Sequence, residues 1–235
     1  MTVDNINAHV PWVCAEVVVK GTDIELKFPV DVAIGRELNR RGIWAPEMVQ
    51  WLRNFVSSHE ECGVLIIGAH IGEGTTVCAR YSLDNAEVHS FEPHPELYKF
   101  LVHNTIKYPN VKTYNYAIGL TEGVQSLLCN TKNSGDNIIE SIFSEYSASI
   151  DLTKERYSKI SCEMRLLTSF DIDFSKIKLI KIDTQGMDRD IYLNIHNLFQ
   201  PGTTMMFENT PLTAKFVREQ SIKHELVDGD FVVSL

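Results

Sequence analysis

Two rhythms of apolar and polar positions run along this chain. Between residues 64 and 116, short apolar runs at 64–67, 87–91 and 111–116 are separated by segments near 75–82 and 95–106 whose apolar residues recur at helical spacing. Apolar runs that alternate with helical stripes predict a mostly parallel, doubly wound sheet, because a strand covered on both faces has no polar side to show. Pro95 suits the first turn of the second helix.

Ahead of this region the pattern is different. Val17-Val18-Val19-Lys20, a Gly21-Thr22-Asp23 turn and the alternating Ile24-Glu25-Leu26-Lys27-Phe28 predict a small hairpin. After Pro46, the residues Met48, Val49, Trp51, Leu52, Phe55 and Val56 form one helical stripe that covers the sheet or walls a substrate pocket. Residues 1–60 are thus expected to form a hairpin-and-helix extension, a cap or sheet cover, and residues 61–235 the main domain.

Beyond residue 120 a hairpin is predicted to interrupt the alternation. Its strands are 123–128 and 161–167, and the Asn133-Ser134-Gly135-Asp136-Asn137 cluster forms a loop between them. Residues 138–160 are polar and tyrosine-bearing, and read as either a cover over a ligand or a surface excursion. Strand and helix then resume with 178–183, a helix through Leu198 and an apolar run at 203–207 that ends in Glu208-Asn209. An edge hairpin turns on Asp228-Gly229.

Candidate chemistry enters where the apolar run 64–67 breaks into Gly68-Ala69-His70-Ile71-Gly72-Glu73-Gly74 and the next run ends, about twenty residues on, in Phe91-Glu92-Pro93. Glycines let a backbone turn sharply and approach a ligand closely. A carboxylate at the next strand end can accept hydrogen bonds from both hydroxyls of a ribose. The dinucleotide spacing Gly-x-Gly-x-x-Gly is not met, since Val77 stands three places after Gly74, and no Gly-Lys-Ser/Thr follows to cradle phosphates. A ribose-bearing cofactor without phosphate, S-adenosyl-L-methionine, fits the looser turn better than a nicotinamide does.

Composition narrows the field further. The 235 residues are 44% hydrophobic, enough for one sizeable core. A net charge of -9 disfavours a counterion-releasing hold on nucleic acid. No apolar segment approaches the length of a membrane span, and residues 1–20 are interrupted by Asp4, Asn5, Asn7 and His9, unlike a signal peptide, so a cytoplasmic location is expected. The five cysteines form no Cys-x-x-Cys pair and the eight histidines no His-Glu-x-x-His arrangement, so no metal is expected.

With these segments placed, the chain resembles the FkbM family of S-adenosylmethionine-dependent methyltransferases over roughly residues 63–233. Ile67-Gly68-Ala69-His70-Ile71-Gly72 resembles the family's Val-Gly-Ala-Asn-Ile-Gly, and Phe91-Glu92-Pro93 its Phe-Glu-Pro. Ala117-Ile118-Gly119 with Gly123 resembles its Ala-hydrophobic-Gly turn, and Lys181-Ile182-Asp183-Thr184-Gln185-Gly186 its Lys-Ile-Asp-x-Glu-Gly. Four motifs in the family's order are a strong joint signal, although each alone is weak. Two positions depart: Ile66 stands where the family commonly has an acid, and Gln185 where it has Glu.

The resemblance implies a Rossmann-like class I methyltransferase with an inserted β-hairpin. By it, Gly68, Ala69, His70, Ile71 and Gly72 hold the methionine end of the cofactor, and Thr75 also belongs to the cofactor site. Glu92 and Pro93 take the ribose, Ala117 and Ile118 the adenine, and Asp183 lies near the sulfonium. Asp183, Glu208 and His94 are the candidates for taking a proton from the acceptor. Gln185, an uncharged amide, is no base. His70, in the family's Asn position, reads as a donor in the cofactor wall or a packing group. The implied function is O-methylation of a hydroxyl on a small molecule such as a sugar, glycan or secondary metabolite. A carboxyl O-methyltransferase and a noncatalytic relative of the fold stand as alternatives. The acceptor's identity and the oligomeric state carry no signal in the sequence.

Overall fold

The computed structural model describes residues 13–130, 132–147 and 157–235. The leader expectation for the first twelve residues and the middle of the 138–160 excursion lie outside the described residues.

Strands β1 (Cys14–Val18) and β2 (Glu25–Pro29) pair antiparallel in the expected hairpin. The first strand ends earlier than its valines suggest, because Val19 N already donates to Ile24 O at 2.8 Å and Gly21, at φ +82°, turns the chain. Helix α1 (Ile34–Arg41), which the apolar pattern did not predict, precedes α2 (Pro46–Ser58). The sheet proper begins with β3 (Gly63–Ile67), α3 (Glu73–Tyr81), β4 (Val88–Phe91), α4 (Pro95–Thr105) and β5 (Val111–Tyr114). The last of these stops two residues short of its predicted end. There the side chain of Asn115 folds back to donate to Glu92 O and Pro93 O.

The insertion is larger than a hairpin. Strands β6 (Ala117–Ile118), β7 (Gly123–Asn130), β8 (Ile138–Ile139) and β9 (Tyr157–Arg165) form a separate four-stranded sheet in the order β6-β9-β7-β8, with α5 (Glu140–Ser147) after β8. The predicted pairing is its centre: β7 and β9 run antiparallel from Gly123↔Met164 to Asn130↔Tyr157. The main sheet resumes with β10 (Ile177–Ile182), α6 (Asp188–Ile195), β11 (Thr204–Phe207), α7 (Pro211–Glu219) and the hairpin β12 (Glu225–Val227) and β13 (Asp230–Ser234). Asp228 and Gly229 both have positive φ, as a two-residue I′ turn requires.

The seven main strands lie in the order β12-β13-β11-β10-β3-β4-β5. Strands β11, β10, β3, β4 and β5 are mutually parallel, and β13 is antiparallel to both its neighbours. Strand order reverses between β3 and β10, so the carboxyl ends of these two strands flank a natural crevice. This is the expected mostly parallel, doubly wound, Rossmann-like architecture.

Alternation along β3 sends its side chains to two cores. Leu65 and Ile67 join Phe91, Ile180, Ile182, Phe207 and the inserted sheet on one face. Val64 and Ile66 join α2, α3 and the hairpin residues Val19, Ile24 and Leu26 on the other. The described part of the N-terminal extension therefore shares a core with the sheet. Asn104 of α4 fastens it further. Its amide accepts from Lys27 N and donates to Lys27 O and Ile71 O, so β2 and the turn after β3 are held by one side chain.

Candidate active site

The crevice opens into a cavity of about 580 Å³ at the carboxyl ends of β3, β4, β10 and β11. Its floor is the turn after β3. Gly68 sits at φ +86°, and a Cβ there would lie 1.8 Å from the carbonyl oxygen of Asp183, so no other residue fits without moving β10. Gly68 N and Ala69 N both donate to Phe91 O, at 2.9 and 2.8 Å, which ties the turn to the end of β4. His70 follows at φ +52°, a left-handed conformation uncommon outside glycine.

That reversal aims a backbone donor at Glu92. Its Oε2 accepts from His70 N at 2.8 Å and its Oε1 from His94 N at 2.9 Å. One lone pair on each oxygen remains for a ligand. Burial pushes this carboxyl up to about 7, against the pull of the two N–H donors. Adjacent walls come from Tyr116, Ala117 and Ile118, where the inserted sheet meets the main one.

At the other end of the cavity lies a group of carboxyls. Asp183, just past β10, is paired with Lys181 through Oδ2 at 2.7 Å, and Gln185 Nε2 reaches its Oδ1 at 3.5 Å. The same amide donates to Glu208 Oε1 at 2.9 Å, so Gln185 bridges two acids. A glutamate in its place would add a third negative charge, and the amide supplies a donor instead. Glu208 Oε2 is buried and has no hydrogen-bond partner. Burial, with Asp183 and Asp188 nearby, pushes the Glu208 carboxyl well up, and Asp188 is raised in the same way by burial and Asp183. Asp188 caps the next turn, accepting from Thr184 Oγ1 at 2.8 Å and from the backbone N–H groups of Thr184 and Glu208. Burial opposes the charge on Lys181, but Asp183 and Asp230 outweigh it and hold the ammonium above its ordinary value.

A second network joins three distant segments. Asp31 accepts from Ala33 N, Gly35 N and Ser134 N, and the Ser134 hydroxyl also donates to it. That hydroxyl therefore accepts from His70 Nε2–H, at 2.9 Å, which sets the imidazole tautomer. Burial pushes His70 down to about 4, so the ring is neutral. It is a wall group held by its neighbours.

Of the residues expected from sequence, Gly68, Ala69, His70, Ile71, Glu92, Pro93, Ala117, Ile118, Asp183 and Glu208 line this one cavity. Three do not. Thr75 is fully buried and pairs its Oγ1 with Ser90 Oγ at 2.9 Å, and Gly72 caps the start of α3 with its Cα facing Leu101. His94 caps α4, its Nδ1 accepting from Glu96 N at 3.2 Å, and that engagement removes the ring nitrogen a base would need. Ile66 lines the cavity from the α2 side while packing with Val64. Sequence reasoning missed Trp44, Glu73, Ser134, Lys181, Asp228 and Asp230, all of which line the cavity. Lys181 alone left a trace: Lys178 and Lys181 are three apart in one strand, which places them on opposite faces of a sheet covered on both.

The model of the FkbM methyltransferase domain matches residues 67–198, more than half of the chain. A comparison with curated proteins finds no match. Among solved structures, the chain is similar to a methyltransferase from Geobacter sulfurreducens (9% identity, TM-score 0.48, covering 86% of each chain). It is also similar to a precorrin-6y C5,15-methyltransferase from Geobacter metallireducens (10% identity, TM-score 0.47, 79% of this chain and 84% of that one). A third is an O-methyltransferase from Bacillus cereus in complex with SAH (12% identity, TM-score 0.45, 81% of this chain and 80% of that one).

Proposed function

The chain belongs to the FkbM methyltransferase family and is an S-adenosyl-L-methionine-dependent enzyme, and from that premise we propose that it methylates a hydroxyl oxygen of a small molecule, a sugar, glycan terminus or secondary metabolite. The observation that carries this is the meeting of the glycine turn, Glu92 and Asp183 in one cavity at the strand-order reversal. The residues fit the cofactor. Glu92 offers two acceptor lone pairs to vicinal hydroxyls, Ala117 and Ile118 offer an apolar wall to a base, and the carboxyls beyond Asp183 suit a positive charge.

When bound, S-adenosylmethionine supplies an electrophilic methyl on a positive sulfur. Held by the glycine turn, Glu92 and the Ala117-Ile118 wall, it would offer that methyl to the acceptor oxygen and leave as S-adenosylhomocysteine, with Asp183 taking the hydroxyl proton. Lys181 fixes the Oδ2 edge of this carboxylate and leaves Oδ1 facing the cavity with a long contact to Gln185. Most of the acceleration comes from holding oxygen and methyl in line, with about 10²–10⁴-fold from the placed base. Among the described residues, no group of three His, Cys, Asp or Glu side chains is arranged to hold a metal ion. We propose no metal and expect chelation to leave activity intact, a result that recovery of lost activity with magnesium would reverse.

Isotope-labelled methyl transfer into fractionated metabolites tests the activity. A base-stable labelled product whose methyl carbon resonates as an O-methyl in 13C NMR is an ether and supports a hydroxyl acceptor, a base-stable N-, C- or S-methyl counts against it, and methanol released by mild base marks a carboxyl ester. Tight cofactor binding with no label in any fraction would mark a noncatalytic relative. Asp183→Asn is expected to lower kcat by about 10²-fold or more, with a smaller effect on S-adenosylhomocysteine affinity. Among the described residues no helix is long and apolar enough to cross a membrane. Cys62, Cys78, Cys129 and Cys162 are buried thiols, which suits a reducing compartment, and we assign the enzyme to the cytoplasm, with no nucleic-acid partner for a chain of net charge -9.

A further inference from the structure

We propose that a second cavity, walled by the turn between β1 and β2, the end of α1 and the start of α2, binds the phosphate group of a small organic molecule through Lys20, Arg40, Arg41 and Arg53. This site lies outside the reaction cavity and does not depend on the methyltransferase reading. It encloses about 550 Å³. Small-molecule sites span about 300–1,000 Å³, so the space suits an organic phosphate rather than a bare ion.

Its walls carry one sign of charge. Acidic residues outnumber Lys and Arg by 31 to 22 along the chain, yet among the described residues no aspartate or glutamate lines this cavity. Short contacts bring the cations together. Lys20 N donates to Gly42 O at 2.8 Å, which seats the hairpin turn against the last turn of α1 with its Arg40 and Arg41. Arg53 Nη1 donates to Gly21 O at 3.2 Å, and its guanidinium carbon lies 4.4 Å from the centre of the Tyr81 ring. That guanidinium is fixed beside the cavity with most of its N–H donors left for a ligand.

Glu37 answers only part of the charge, pairing with Arg40 at 2.6 Å and Arg41 at 3.8 Å from outside the cavity wall. Arg40 and Arg41 also suit the carboxyl end of α1, where carbonyl dipoles favour cations, but that accounts for neither Lys20 nor Arg53. Helix α2 starts at Pro46 without a side-chain cap, so its positive end adds to the same field. A phosphate dianion takes paired N–H donors from guanidinium groups and spreads its charge over several oxygens. A neutral sugar leaves the cations unmatched, and a carboxylate brings a single charge to them. The partition from the reaction cavity is thin: Ile43, Pro46 and Val49 line the basic side, whereas Trp44, Ala45 and Met48 line the other. A phosphate bound here stands about 10 Å, one helix width, from the reaction cavity. It belongs either to the acceptor itself or to a separate molecule bound beside it.

The test is calorimetric titration of the full chain with glucose 6-phosphate and inorganic pyrophosphate, against glucose and glucuronate, at an ionic strength held constant with sodium chloride. At least one phosphate probe is expected to bind about tenfold or more tightly than glucose and glucuronate, and to weaken as salt is raised. Lys20→Gln, Arg41→Gln and Arg53→Gln are each expected to weaken it by about threefold or more, with S-adenosylhomocysteine affinity unchanged. Lys20 and Arg41 are exposed, so these two variants keep the test open if Arg53→Gln fails to fold, which a thermal melt identifies. The proposal is overturned if neither phosphate probe binds at millimolar concentration, if glucose or glucuronate binds as tightly, or if the folded variants bind like the parent chain. Once binding is established, phosphatase treatment of the metabolite fractions separates the two sources. Loss of labelled methyl transfer places the phosphate on the acceptor, and transfer that persists places it on a separate molecule. Phosphate binding is read on the cofactor-free chain, so its failure and a failure of the methyltransferase reading are told apart.

Discussion

Glu92 does two jobs with one carboxylate, holding the N–H groups of His70 and His94 and presenting its remaining lone pairs to the cavity. Its removal should therefore cost affinity through the hydroxyls and order through the turn. Glu92→Ala is expected to weaken S-adenosylhomocysteine binding by about 1.5–3 kcal/mol, as measured by calorimetry, and an unchanged dissociation constant would take it out of the ribose role. Gly68 is less forgiving, since the collision of a Cβ with Asp183 O at 1.8 Å involves backbone on both sides. Gly68→Ala should displace β10 from β3 and lower the melting temperature by roughly 5 °C or more, on a scale of about 2–4 °C per kcal/mol. Full stability in that variant would show that the turn adapts.

At the scale of elements, the 31–35 loop and the 133–137 loop close the cavity together, because Asp31 accepts donors from both. Asp31→Ala leaves these N–H groups unpaired and is expected to cost about 1–3 kcal/mol, with faster hydrogen exchange confined to residues 31–35 and 132–137 if the loops separate. Protection unchanged there would mean the loops are held by other contacts. Such joins explain what was legible in the sequence. Strands β3, β4 and β10 showed themselves because each is an apolar run in a sheet covered on both faces, and Glu92 and Asp183 because they stand at strand ends. Helix α1 stayed hidden because only Gly35 and Leu38 of its eight residues are buried, too few to draw a stripe. Asp228 and Asp230 read as hairpin-turn residues, and only the antiparallel insertion of β13 beside β11 carries them to the site. His94 looked like a base for the opposite reason: its neighbour Glu92 belongs to the site, while its own ring belongs to the helix that follows.

For the whole molecule, buried acids set how stability responds to pH. Glu73 and Glu92 are each raised from 4.5 to about 7, chiefly by burial. Between those values the folded chain keeps protons that the unfolded chain has released, so the contribution of these two carboxyls is full below pH 4.5 and is lost as pH rises through 7, and it outweighs the opposite slope of the single depressed imidazole of His70. Ligand-free protein should melt at a lower temperature at pH 8 than at pH 5.5, by several degrees at about 2–4 °C per kcal/mol, and Glu73→Gln should flatten that slope. A profile that rises over the same interval would show these carboxyls already ionised. The bridge through Ser134 has a consequence of its own for how the molecule is made. Asp31 and His70 emerge from the ribosome early, but the hydroxyl that links them is encoded 103 residues after the first and 64 after the second. A nascent chain thus carries its glycine turn unbraced until the inserted sheet is synthesised, and cofactor capture becomes a late event in its biogenesis.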